Sequence, residues 1–213
     1  MMDWVAWHLA YQDPESALSR RLECVRGHLA KAIDEAPAGQ VSLVSLCAGQ
    51  GHDVLGVLPG HPRRDDVQAV LVEFDPSNAG LARRGADEAG LARVQVREAD
   101  AGAVANYADA LPAEVLLLCG IFGNITDTEI EQVVLAATAM CSPGATVIWT
   151  RHRREPDLTP RIRTWFAESG FDEVAFDALD TEGVVGVGVN RLSRPTLARR
   201  PDGQLFTFRM EAG

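Results

Sequence analysis

Short apolar runs alternate with helical segments along most of this chain, and that alternation restricts it to few folds. The runs are Val41–Cys47, Ala69–Phe74, Arg93–Arg97, Glu114–Cys119 and Ala145–Trp149. They are short and mostly rich in Val, Leu and Ile, as strands buried on both faces are. Between them lie helix signals at His52–Leu58, Pro76–Ala89, 103–110 and Thr126–Met140, the last opening on a Thr126-x-x-Glu129 capping box. Parallel strands need crossover helices, so the pattern predicts an α/β, doubly wound, mostly parallel sheet. After a helix over 158–169, Phe171–Phe176 and Val184–Leu192 have no helix between them and read as a hairpin. The expectation is a seven-stranded sheet with one antiparallel member.

Leu18, Leu22, Val25 and Leu29 form the apolar stripe of a helix ahead of the first strand, with Pro14 in its first turn. Residues 1–38 are expected to form an N-terminal helical cap on a domain over 39–213. A last strand-like piece, Gln204–Phe208, presents Leu205, Phe206 and Phe208 to pair with another subunit as a homodimer.

The formal net charge of −10 repels nucleic acid, so a small molecule is the expected partner and nucleic acid is not. No run of about 18 apolar residues is present, so no membrane span is expected. The first residues lack the basic start and apolar core of a secretory signal. Cys24, Cys47, Cys119 and Cys141 are widely spaced, with no metal-ligand pairs, which suits a reducing cytoplasm and no metal.

In doubly wound sheets the ligand sits at the carboxyl ends of the strands, where strand order reverses. Ala48-Gly49-Gln50-Gly51 follows the first strand, and a glycine turn there either reverses the chain or brings backbone N–H groups to a ligand. Glu73 ends the second strand, before Phe74-Asp75-Pro76. It is either a solvated strand-end acid or an acceptor for both hydroxyls of a ribose. Asp75 is the fallback for that role, or the cap of the helix at Pro76. After the third strand, Asp100 with Ala101 suits an exocyclic amine such as adenine N6, or a helix N-cap.

Together the glycine turn, Glu73, the 98–101 segment and the closing hairpin resemble class I methyltransferases that use S-adenosylmethionine (SAM). The resemblance covers about residues 41–192 and implies strand order 3-2-1-4-5-7-6. It implies SAM as cofactor, with Gly49 and Gly51 near the methionine and ribose, Glu73 on the ribose, and Asp100 and Ala101 on the adenine. Cys119, Gly120 and Asn124, at the end of the fourth strand, fall where the family lines the methionine moiety and the target. Two positions depart from the family's first motif: Ser45 stands where an acid is usual and Cys47 where the first glycine is usual. The Asn/Asp-Pro-Pro-aromatic run of nucleic-acid amino-methylating members is absent at 119–124.

Methyl transfer requires a nucleophile held in line with the sulfur and shielded from water. Arg151-His152-Arg153-Arg154 follows the fifth strand and reads either as a solvated basic loop or as a site for an anionic substrate with His152 as base. Trp7 and Tyr11 read either as packing or as a lid that contacts substrate, with Tyr11 a second candidate acid or base. Cys47 and Cys119 end neighbouring strands, so their thiols are expected to face each other. Two other readings stand. One is a nicotinamide-dependent oxidoreductase, whose fingerprint needs a glycine where Val54 stands. The other is a SAM-binding regulatory partner without turnover.

Overall fold

Each apolar run forms the strand it predicts, in a computed structural model that describes residues 13, 16–179, 185–194 and 201–208. The strands are β1 (Val41–Leu46), β2 (Val67–Glu73), β3 (Val94–Glu98), β4 (Ala113–Leu118), β5 (Cys141–His152), β6 (Phe171–Leu179) and β7 (Val185–Leu192). They form one sheet in the order β3-β2-β1-β4-β5-β7-β6. The first five run parallel, and β7 lies antiparallel between β5 and β6. Strand order reverses between β1 and β4, which opens a crevice at their carboxyl ends.

Alternation along the strands builds two cores. Val44 and Leu46 of β1 and Leu116 and Leu118 of β4 face helices α4 (Asp127–Met140) and α5 (Thr159–Glu168). Val41, Leu43, Val115 and Leu117 face α1 (Ala17–Glu35), the single-turn α2 (Val54–Val57) and α3 (Pro76–Glu88). Local chemistry starts these helices. Ser16 caps α1 by accepting from Ser19 N at 3.0 Å. Asp75 caps α3 through Ser77 N and Asn78 N, with Pro76 at its first position. Both halves of the Thr126–Glu129 capping box form on α4. Among the described residues no helix is long and apolar enough to cross a membrane.

Three expectations are corrected. The 103–110 helix is two short 3-10 turns, Val104–Asn106 and Ala108–Ala110, broken at Tyr107, whose backbone leaves the helical region (φ −145°) while its ring is fully buried. β5 begins at Cys141 rather than Ala145, absorbing Pro143-Gly144 where its register with β4 shifts. Gln204–Phe208 forms no strand. Gln204 makes a single bridge with Ala103, while Leu205 and Phe206 are buried in the core of their own chain and are not free to pair elsewhere. Gly102 permits that approach, because a Cβ there would stand 2.1 Å from Phe206 O.

Candidate cofactor site

The turn after β1 is built from left-handed residues at alternate positions: Cys47 (φ 56°), Gly49 (φ 57°) and Gly51 (φ 72°). Cys47 is the only non-glycine with positive φ among the described residues, at a cost of roughly 1–2 kcal/mol. Glycine is replaced in type at that position, while the backbone keeps the shape a glycine would adopt. Gly51 is required twice over, since a Cβ there would also meet Leu71 Cδ2 at 2.9 Å. Ala48 N bonds Val72 O at 3.0 Å, which ties the turn to β2.

Glu73 ends β2 beside this turn. Its buried carboxylate accepts from Gly49 N at 2.7 Å and from Asp75 N at 2.8 Å, one donor per oxygen. A carboxylate has about four lone-pair positions, so acceptor capacity remains for a polyol. Next to it Phe74 is 74% exposed, an aromatic ring standing at the rim. Asp100 is neither free nor a helix cap: its oxygens accept from Gly102 N at 2.8 Å and Gln204 Nε2 at 2.9 Å. Ala101 beside it is buried. Below lies the Tyr107 hydroxyl, buried with no hydrogen-bond partner among the described residues; burial first, then the charges of Cys47 and Asp100, push its pKa up.

The thiols of Cys47 and Cys119 do not face each other. Cys47 packs on the α4/α5 side of the sheet and Cys119 on the α1 side, because the left-handed backbone at Cys47 breaks the strand alternation. Burial raises both thiols far above the ordinary range, so neither is a nucleophile at neutral pH. On the α1 side Ser45 is buried, and the turn after Gly51 adds a buried acid that the sequence reading passed over, Asp53. Asp53 Oδ1 accepts from Val54 N at 2.8 Å. Burial raises its pKa, while its backbone bonds and the charges of Arg21 and Arg26 oppose the rise. Gly120 (φ 78°) donates to Thr150 Oγ1 at 2.9 Å, and a Cβ there would meet open space. Asn124 closes that turn, donating from Nδ2 to Gly120 O at 2.7 Å.

Arg151 and His152 end β5 instead of following it. Arg151 donates to Phe122 O, Arg153 pairs with Asp157 at 3.3 Å, and Arg154 is exposed. His152 Nδ1 is buried without a hydrogen-bond partner among the described residues. Burial, then Arg151 and Arg154, hold its pKa below the ordinary histidine value, so the ring is neutral at pH 7. Trp7 and Tyr11 lie outside the described residues.

No family model matches this sequence, and no curated protein is similar to it in sequence. Solved structures are similar in shape. Magnesium protoporphyrin IX methyltransferase from Synechocystis PCC 6803, with bound SAM, superposes with TM-score 0.66 at 11% identity, over 88% of this chain and 90% of that one. The fold is that of the class I SAM-dependent methyltransferases. The CurJ carbon methyltransferase has TM-score 0.68 at 12% identity, over 88% of this chain and 58% of that one. An RNA methyltransferase from Salinibacter ruber, in complex with S-adenosyl-L-homocysteine, has TM-score 0.53 at 20% identity, over 83% and 97%. Identities this low speak for the fold alone.

Proposed function

We propose that this chain transfers a methyl group from SAM to a small, anionic acceptor. The observation that carries the reading is the buried Glu73 carboxylate, locked onto a left-handed turn of Cys47, Gly49 and Gly51 at the reversal of strand order. When bound, SAM supplies a methyl already activated by positive sulfur.

The residues divide that task. Glu73 accepts from the ribose hydroxyls, with Asp75 holding α3 behind it. Phe74 offers its ring to the adenine, and Asp100 and Ala101 form the edge that reads the exocyclic amine. The orphaned Tyr107 hydroxyl lies in the same wall and fits a polar ligand. Ala48, Cys119 and Gly120 line the methionine end. Ser45 serves the ammonium group through water, and the buried Asp53 on that side supplies the negative charge. His152, neutral and with an unpartnered Nδ1, takes the proton from the acceptor, beside Arg151 and the exposed Arg154 as counter-charges. Asn124 borders the acceptor.

The charge of −10 supports a small acceptor over RNA, and the four widely spaced cysteines suit a cytoplasmic protein. A nicotinamide cofactor is disfavoured by Val54, fully buried where its fingerprint needs glycine. Calorimetry with SAM, its demethylated product and NAD tests the assignment. Binding of the first two and not NAD is expected, and heat with NAD alone would overturn it. Binding of SAM with no turnover on any acceptor would favour the regulatory reading.

A further inference from the structure

Away from the cofactor crevice, α1 and β6 bring together three side chains of a different chemistry. Cys24 and His28 lie one helical turn apart on the same face of α1. Asp177 lies on β6, and His28 Nε2 meets its Oδ2 at 2.6 Å across 149 residues of sequence. One sulfur, one imidazole nitrogen and one carboxylate oxygen thus lie within 4.8 Å of one another.

We propose that Cys24, His28 and Asp177 form a binding site for a divalent transition-metal cation of the Zn2+ type. The donor set is the argument. Thiolate and imidazole select zinc and its neighbours over calcium or magnesium, which take oxygen ligands. Bonds of about 2.0–2.3 Å place the ligand atoms of a tetrahedral ion roughly 3–4 Å apart, so the observed cluster needs shifts of about 1 Å. A thiolate and a carboxylate balance the two positive charges, and the thiol proton leaves on binding. A His–Asp ion pair alone would not require a thiol within 4.8 Å of both partners. All three residues are half-buried, sheltered yet reachable by an ion.

The position gives the site a use. Asp177 is opposite Val187, and Val187 is opposite Thr150, whose hydroxyl accepts from Gly120 N. The cluster therefore stands in the same row of the sheet as the end of β4, a few strands along from the crevice. An ion there fastens α1 to the far edge of the sheet. Three protein ligands leave a fourth position for water or for a donor atom of another molecule.

Titration of the reduced full-length chain with Co2+ tests the proposal. One equivalent is expected to produce thiolate-to-cobalt charge-transfer absorption in the near ultraviolet, abolished by Zn2+. Cys24→Ser is expected to remove the absorption, and Asp177→Asn to weaken Co2+ binding by more than about 100-fold. Cys141→Ser, on the opposite face of the sheet, is expected to leave both unchanged. Zn2+ should raise the Tm of the native chain and not of Cys24→Ser. Far-ultraviolet circular dichroism establishes that each variant is folded. No thiolate absorption at equimolar Co2+, or absorption that survives Cys24→Ser or depends on Cys141, overturns the proposal.

Discussion

Glu73→Ala separates two jobs that the carboxylate performs at once. In the unliganded chain it braces the crevice, accepting from Gly49 N and Asp75 N. Hydrogen bonds to a charged acceptor contribute about 1.5–3 kcal/mol each. The Asp75 N–H lies near the surface and regains water, so its loss falls at the low end. The Gly49 bond is buried, and that N–H would be left without a partner. A net destabilisation of about 3 kcal/mol follows, which for a chain of this size lowers Tm by about 10 °C. Glu73→Gln keeps one accepting oxygen, so about half that loss is expected. The second job is the ribose. Two hydroxyls bonded to the carboxylate, at about 1.5 kcal/mol each, amount to about 3 kcal/mol, or roughly 100-fold in SAM affinity. Differential scanning calorimetry reads the first quantity. Isothermal titration of Glu73→Gln, well below its Tm, reads the second. A Glu73→Ala chain that melts with the native one refutes the brace, and a folded Glu73→Gln chain with native SAM affinity refutes the ribose contact.

Three further perturbations probe other parts of the molecule. In Gly188→Ala the new Cβ would stand 2.1 Å from Trp149 Cε2, a fully buried ring stacked on Phe166 at 5.9 Å. A loss of about 3 kcal/mol is expected, and an unchanged Tm would refute the close approach of Gly188 to Trp149. Because the His152 pKa is depressed, the neutral ring persists below about pH 6.5, and its contribution to folding is lost as pH falls from that value. His152→Gln should lower kcat by about 100-fold or more and flatten the acid limb of the pH–rate profile; an acid limb unchanged from the native enzyme removes His152 from the reaction. Phe206→Ala should cost about 3 kcal/mol by opening a cavity inside one chain. Light scattering should show its mass unchanged, whereas dissociation of an assembly would place Phe206 at an interface.

The sheet was legible because each strand advertises itself locally. Glu114-Val115-Leu116-Leu117-Leu118 can only be a buried strand in that context, and Asp75-Pro76 and Thr126–Glu129 carry their own helix starts. Glu73 was legible for the same reason, as an acid that ends an apolar run. What escaped depends on backbone handedness and on distant parts of the chain. Nothing in a cysteine announces a φ of 56°, so the parting of Cys47 and Cys119 to opposite faces was hidden. The 103–110 segment has helix-forming alanines, yet burial of Tyr107 outweighs their propensity. Asp53 falls inside the His52–Leu58 helix signal, and the α1 residues beside it, Arg21 and Arg26, arrive from a distant part of the chain. Cys24 and His28 carry a visible i, i+4 spacing, but their third partner arrives only through the hairpin.

The segment around Gln204 is a latch that joins two ends of the crevice wall. Leu205 N bonds Gly102 O at 2.8 Å, Val104 N bonds Gly203 O at 3.0 Å, and Thr207 N reaches Glu129 Oε1 at 2.9 Å. Gln204 itself holds the Asp100 carboxylate. Any tag, fusion or truncation at the carboxyl end is therefore mechanically connected to the loop assigned to the adenine. Preparations that differ only in that appendage should differ in how firmly they retain a nucleoside.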